Sequence, residues 1–220
     1  MDAEAIPYWR INVPESQWPV TCPEFLLHVS AKDRGILSTR DEDYHVLTWA
    51  EVRNIIKTNR IDLFQRMPSD LRRYLEYTAQ LKREYGSVMV FILQERLDWH
   101  DLTPHNPVPF KDPADIKVLY NDWPYGVDEK IVHLVVWTKF QLSEDPSTGD
   151  LTDSARDEIE TYVHTTFGRA LAAEHIIWFK NWRSLKSIHS VEHFHVMLYD
   201  PDPAFIKRIT NNDIPLRDKI

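Results

Sequence analysis

Residues 176–200, IIWFKNWRSLKSIHSVEHFHVMLYD, constrain the fold more than any other stretch. Two apolar runs flank a basic, hydroxyl-rich connection, and the second run carries histidines at i and i+2. Neighbouring side chains on a strand point to opposite faces. As a strand, this run puts His193, His195 and Met197 on one face and Phe194, Val196 and Leu198 on the other. The apolar set can then pack beneath a helix while two imidazoles look out at an opening. Just upstream stand Lys180, Asn181, Arg183, Lys186, Ser187 and Ser190, donors of the kind that hold phosphate oxygens. An imidazole beside such a cradle suits nucleophilic attack on phosphorus. A plainer reading stands beside it. A strand histidine is more often hydrogen-bonded structure, His-x-His arises readily by chance, and three cations in seven residues commonly make a solvated loop.

The rest of the chain supplies the layers. Residues 1 to about 30 are punctuated by proline and rich in aromatics, which predicts an extended arm packed on the body. Thr48, with Glu51 three residues on, can cap a helix starting at Trp49, and Trp49, Val52, Ile55 and Ile56 recur at helical spacing. A second helix opens near Pro68 and closes at Gly86. Arg66, Ser69, Arg72 and Arg73 cluster at its start. That position can attract anions, although a solvated basic turn balanced by Glu76 and Glu84 is the simpler account. The near-continuous apolar run SVMVFILQERL, from residue 87, predicts a buried strand. Residues 116–120 and 131–139 read as further strands, separated by NDWPYG, where Pro124 and Gly126 set a turn. His133, Val135 and Trp137 share one face of the second. A helix then follows Thr152 or Asp153, with Ile159, Val163, Thr166, Phe167 and Ala170 as its core stripe. After Asp200 a Pro-spaced tail offers one helical turn. Runs of strands interrupted by one helix predict an α+β fold, a largely antiparallel sheet covered on one face and preceded by an N-terminal helical segment.

At 220 residues one domain is favoured over two, with residues 1–86 as arm and helices, 87–200 as sheet and 201–220 as tail. The formal net charge of −8 argues against a general nucleic-acid partner. Any positive pocket must work locally against that field. Cys22 is the sole cysteine, which excludes an intramolecular disulfide and a cysteine-rich zinc site. No apolar run approaches the roughly 20 residues of a membrane span, and the N-terminus lacks the pattern of a signal peptide. A cytoplasmic protein with no membrane partner is the expectation.

Five pieces in order carry a resemblance. They are Asn121-Asp122-Trp123-Pro124-Tyr125, residues 133–139 (HLVVWTK), Leu151-Thr152 ahead of a helix, Asn181, and residues 190–195 (SVEHFH). Residues 87–200 are thereby similar to the histidine-triad and galactose-1-phosphate uridylyltransferase superfamily. Nearly the whole chain, including TWAEVRNIIKTNRIDLFQRMPSDLRRYL and WFKNWRSLKSIHSVEHFHV, resembles the fungal N-acetylglucosamine-induced protein family. The first resemblance implies a histidine-triad-like sheet on which His195 attacks the phosphorus of a nucleotide or nucleotide sugar. His193 and His133 would orient the phosphate, Asn181, Ser187 and Ser190 would donate to its oxygens, and Lys180 and Lys186 would neutralise charge. A carbonyl of the 180–190 connection would hold the tautomer of His195. Met197 stands where that superfamily has a third histidine or a glutamine, and this departure bears on turnover more than on binding. Superfamily relatives are often dimers, so a homodimer is also implied.

Two functions follow from different classes. One is a nucleotide or nucleotide-sugar transferase or hydrolase working through His195 with no cofactor. The other is a non-catalytic binding or regulatory protein for a phosphorylated ligand (nucleotide, nucleotide sugar or sugar phosphate), linked to the N-acetylglucosamine response. A metal held by His133, His189, His193 and His195 ranks below both, because the nearest carboxylate, Glu192, points to the other face. A nucleic-acid partner ranks last.

Overall fold

The computed structural model describes residues 6–182 and 191–220. The arm, residues 6–30, makes short 3-10 turns at Tyr8–Arg10, Glu15–Gln17 and Glu24–Leu26. Its Leu26 is fully buried with Ile36, Leu37 and Leu71. Ile36 and Leu37 belong to a helix absent from the sequence expectation, α1 (Ala31–Leu37), which Ser30 caps. Helix α2 (Trp49–Lys57) starts in the expected capping box, with Thr48 Oγ1 accepting from the Glu51 N–H and the Glu51 carboxylate accepting from the Thr48 N–H. Helix α3 (Pro68–Tyr85) begins on a proline and stops at Gly86, where φ is +76°. Only glycine enters that region without steric cost.

The apolar run that follows is a helix, not a strand. Helix α4 (Val88–Phe91) passes directly into a π-helical segment, Ile92–Leu97. A continuous apolar run satisfies either geometry, and two local facts decide it. Ser87 caps the start by accepting from the Val90 N–H, and Phe91, Ile92 and Leu97 are buried while Val90, Gln94 and Glu95 are exposed. The buried side packs on α3, where Tyr77 and Tyr85 set ring edges against Phe91.

The sheet has four strands, β1 (Ile116–Tyr120), β2 (Ile131–Thr138), β3 (Ile176–Phe179) and β4 (Glu192–Tyr199), in the order β1-β2-β4-β3. Every pairing is antiparallel. In the central ladder His133 stands opposite Met197, Val135 opposite His195 and Trp137 opposite His193, so all six share a face. Phe179 of β3 joins them opposite His195. The other face packs Leu134, Val136, Phe194, Val196 and Leu198 against helix α5 (Asp153–Phe167) and helix α6 (Pro203–Ile209). Thr152 caps α5, and Ile159, Val163 and Phe167 are its buried stripe; Ala170 lies beyond the helix and is exposed.

The expected open face of the sheet is covered as well. Helices α3 and α4 lie over Leu119, Val135 and Trp137, and α2 lies over Ile131, Phe179 and Met197. The result is helix, sheet, helix rather than a sheet covered once. The added layer is built by the 87–97 helix together with the N-terminal helices.

Candidate functional site

Period-2 alternation on β2 and β4 delivers His133, His193 and His195 to one face, and the overlying helices seal them there. His133 is 3% exposed and His193 and His195 are each 5% exposed. The imidazoles therefore do not look out at an opening. His133 Nε2 and His195 Nδ1 lie 3.0 Å apart, and the Phe179 ring stacks on His195 at 4.8 Å between centroids. Asn181 Nδ2 is 3.0 Å from His195 Nε2. With Asn181 Nδ2 as the donor, His195 Nε2 keeps its lone pair and the proton sits on Nδ1, directed at His133. Among the described residues His133 is the partner of that nitrogen; residues 183–190 of the connection, whose carbonyl was expected there, lie outside the described residues. Asn121, in the turn after β1, approaches the His133 ring with its amide nitrogen 3.2 Å from Nε2 and accepts from the Trp123 N–H through its own oxygen. His193 Nδ1 donates to the Val191 carbonyl at 2.9 Å, and its ring lies 4.5 Å from Trp137.

Burial keeps the central pair neutral. It pushes His133 down to about 3, with the charge of Arg66 adding to the shift. His195 is held well below the usual imidazole value of 6.5, first by burial and then by His133, His193 and Arg66.

Beside this pair lies a cavity of about 110 Å³ between the sheet and the α3–α4 layer. Tyr74, Tyr77, Phe91, Trp123 and Trp137 give it aromatic walls; Thr78, Asn121, His193 and His195 give it polar groups. Arg96, from the π-helical segment, also reaches it, but that guanidinium is fully engaged. It contacts Asp122 at 2.8 Å and Asp213 at 2.7 Å, forming a buried clamp between helix, turn and C-terminal tail.

The other expected site residues separate. Asn181 joins the imidazoles, but Lys180 does not. Its ammonium pairs with Glu144 and, at 3.2 Å, with Glu192. Since Phe179 faces His195, Lys180 next to it in the chain projects to the α5 side, where Glu192 also points. It is a core ion pair rather than a phosphate ligand. Lys186, Ser187 and Ser190, with Arg183 and His189, lie outside the described residues. Among the described residues no group of three or more His, Cys, Asp or Glu side chains is placed to hold a metal ion, and no helix is long and apolar enough to cross a membrane.

The basic cluster ahead of α3 also divides. Arg72 donates to the Trp9 carbonyl and Arg73 to the Arg217 and Ile220 carbonyls, so both hold the fold together. Arg66 does not belong to a solvated turn. Its guanidinium lies 4.1 Å from the Tyr74 ring centroid and donates through Nε to the Trp123 carbonyl, so it packs on two residues that line the cavity without lining it itself. The basic cluster marked the residue, but not its partners, which lie 8 and 57 positions away.

Comparison with known proteins places this geometry among relatives. The family described as "Protein of unknown function (DUF3605)" matches residues 48–199. N-acetylglucosamine-induced protein 1 of Candida albicans is 30% identical over 183 residues, covering 74% of this chain and 72% of the relative. Uncharacterized protein YPL067C of Saccharomyces cerevisiae is 24% identical over 174 residues, covering 76% and 86%. The crystal structure of HTC1 matches with a TM-score of 0.61 at 23% identity, over 76% of this chain and 94% of that one, which is a likeness of fold.

Proposed function

This chain belongs to the DUF3605 family, with the N-acetylglucosamine-induced protein of Candida albicans among its relatives, and from that premise we propose that it is a small-molecule-binding or regulatory protein. Its ligand is a phosphorylated one (sugar phosphate, nucleotide sugar or nucleotide) that inserts a single ring into the cavity beneath α3 and α4. The relative's name supports a link to the amino-sugar response. Size decides how much of the ligand enters. A cavity of about 150 Å³ holds one benzene, so about 110 Å³ takes a single ring only once the α3–α4 layer gives way, and a whole nucleotide not at all. Aromatic walls suit the faces of a sugar or base, and neutral imidazole and amide groups suit its polar edge.

The observation that carries binding over catalysis is Met197. It is fully buried among Val52, Ile55, Phe64 and Phe179 beneath α2. The place where a histidine-triad-like site would receive a leaving group is filled with core. A thermal-shift panel of nucleotides, nucleotide sugars and amino-sugar phosphates tests the reading. Ligand at about 100 times its Kd adds roughly 2.7 kcal/mol, and Thr78→Phe, which fills the cavity from α3, removes that gain. A panel in which no compound shifts the melting temperature would refute it.

The tautomer of His195 favours a second reading. A lone pair on Nε2 with the proton held on Nδ1 is what a nucleophilic imidazole requires. In that reading Nε2 displaces Asn181, forms a bond to phosphorus and expels the leaving oxygen, with His133 and His193 orienting the phosphate. Rapid quench with labelled nucleotide would trap label on His195, and His195→Ala would abolish turnover while sparing binding. Tight binding without turnover or trapped label leaves the binding protein alone.

A further inference from the structure

We propose that residues 214–220 of the tail are a latch that holds the α3–α4 layer shut over the cavity, and that opening of the cavity begins with their release from a hinge at Asp213. One side chain of this segment, Leu216, lines the cavity and shares an apolar cluster with Leu81 of α3 and with Phe91 and Ile92. Around it the segment is fastened to two further walls. The Leu216 N–H donates to Asp122 Oδ1 at 3.0 Å and the Arg217 N–H to the Asp122 carbonyl at 3.2 Å, which ties it to the turn after β1. Arg73 of α3 donates to the carbonyls of Arg217 at 2.7 Å and Ile220 at 2.6 Å, and the Arg217 guanidinium returns to Asp70 of α3 at 3.3 Å. The Arg73 guanidinium also lies 5.6 Å from the centroid of Trp123, another wall of the cavity. The latch therefore joins α3 to the turn through its own backbone and sets Leu216 into the cavity wall.

Its fastenings are weaker than those of the elements it joins. Within residues 214–220 only Leu216 is buried, while Ile214, Asp218, Lys219 and Ile220 are exposed. The side chains of Arg73 and Arg217 are 41% and 37% exposed, so water competes for both guanidinium groups. Helix α3 by contrast buries Pro68, Leu71 and Leu81, and the segment after it buries Phe91, Ile92 and Leu97. Segments with few buried apolar contacts and exposed hydrogen bonds open at the lowest free energy. The hinge is equally definite. Asp213 is held by both oxygens, to Arg96 at 2.7 and 2.9 Å and to the Tyr120 N–H at 3.0 Å. Just before it, Asn211 and Asn212 take left-handed φ angles of +52° and +60° that turn the chain off α6. Release is thus confined to residues after Asp213. It withdraws Leu216 and unties α3 from the turn, which lets the space of about 110 Å³ widen. Use of the latch by a ligand rests on the cavity being a binding site; the latch itself is a property of the protein alone.

Hydrogen–deuterium exchange of the full chain without ligand, read peptide by peptide, tests this. Arg73→Gln should speed exchange in residues 214–220 and also in residues 92–97. The expected factor is about tenfold or more, the usual effect of losing a charged hydrogen bond, with β2 and β4 unchanged. Leu216→Ala should act in the same direction without removing a charge, and it serves if the Arg73 variant fails to fold. A bis-maleimide staple between Asp70→Cys and Arg217→Cys, in a Cys22→Ala background, should slow residues 92–97 below the wild-type rate. If the variants speed only residues 214–220, those residues ride on the roof without holding it, and the latch is wrong. Equal acceleration in β2 and β4 would make them part of the global core, which overturns the latch as well. So would a staple that leaves residues 92–97 at the wild-type rate. Because no ligand enters the measurement, its failure leaves the binding site standing, and a panel of compounds with no binder leaves the latch standing.

Discussion

Keeping His133 and His195 neutral gives stability a pH dependence of definite sign. The unfolded rings titrate near 6.5 while the folded ones are depressed, His133 to about 3. Below about pH 6.5 the unfolded chain therefore takes up protons that the folded chain refuses. Stability is full above pH 6.5 and falls as pH drops toward 3, by up to about 1.4 kcal/mol per unit for each imidazole. Urea unfolding at pH 7, 6 and 5 measures this, and His133→Asn should flatten the fall. Equal slopes in both proteins would mean that the imidazole is not the source. Met197→His should destabilise by about 2 kcal/mol or more, read in urea unfolding, because a polar ring enters the apolar cluster of Val52, Ile55, Phe64 and Phe179. The histidines themselves were legible in the sequence, since a two-residue period fixes which side chains share a face. The role of Lys180 was not. Its partners Glu144 and Glu192 lie 36 and 12 positions away, and no local pattern reports that they meet. Arg66 stood out as part of a basic cluster, but its contacts with Tyr74 and Trp123 were hidden for the same reason.

At the scale of elements, local chemistry reached the strands and the capped helices and stopped where two geometries compete. The capping box of α2, the proline and glycine bounding α3, and the 116–120 strand all follow from residues within a few positions of one another. Residues 88–97 do not, because a continuous apolar run carries no period and the choice was made by packing on α3. Gly126 also works differently from its expected role. A Cβ there would lie 2.4 Å from a ring carbon of Tyr44, whose hydroxyl donates to the Gln65 carbonyl, so the position is small to admit a neighbour. Gly126→Ala should therefore cost about 1–3 kcal/mol, and adding Tyr44→Leu should recover part of it in a double-mutant cycle. Simple additivity would show that the two do not touch. The Arg96 clamp ties the π-helical segment to the turn before β2 and to Asp213. Arg96→Met strands two acids beside the cavity, at an expected cost of about 3–5 kcal/mol in denaturant unfolding. A loss under about 1 kcal/mol would mean that the three elements hold together without it.

Across the whole molecule, the α+β class and the antiparallel order were readable because one strand pattern has two unlike faces. The second helical layer was not, since it required knowing that residues 87–97 leave the sheet. With both faces covered, the β2 and β4 amides should be the last to exchange with deuterium, and the arm at residues 6–30 should be among the first. Slower exchange in the arm would contradict this order of stability. The closed roof over the imidazoles also turns recognition into a matter of timing. On the proposed reading, no ligand of ring size reaches His195, which is 5% exposed, from the closed arrangement. It must arrive while α3 and α4 stand apart, and that gap has to form before any contact can reward it. Association should then be slow, below the roughly 10⁵–10⁷ M⁻¹s⁻¹ of an open docking site, and its observed rate should level off as ligand concentration rises. Once the roof settles, escape waits on the same motion, so a modest affinity would come with a long residence. Such a protein would report how long its ligand has been abundant, and brief surges would pass it by.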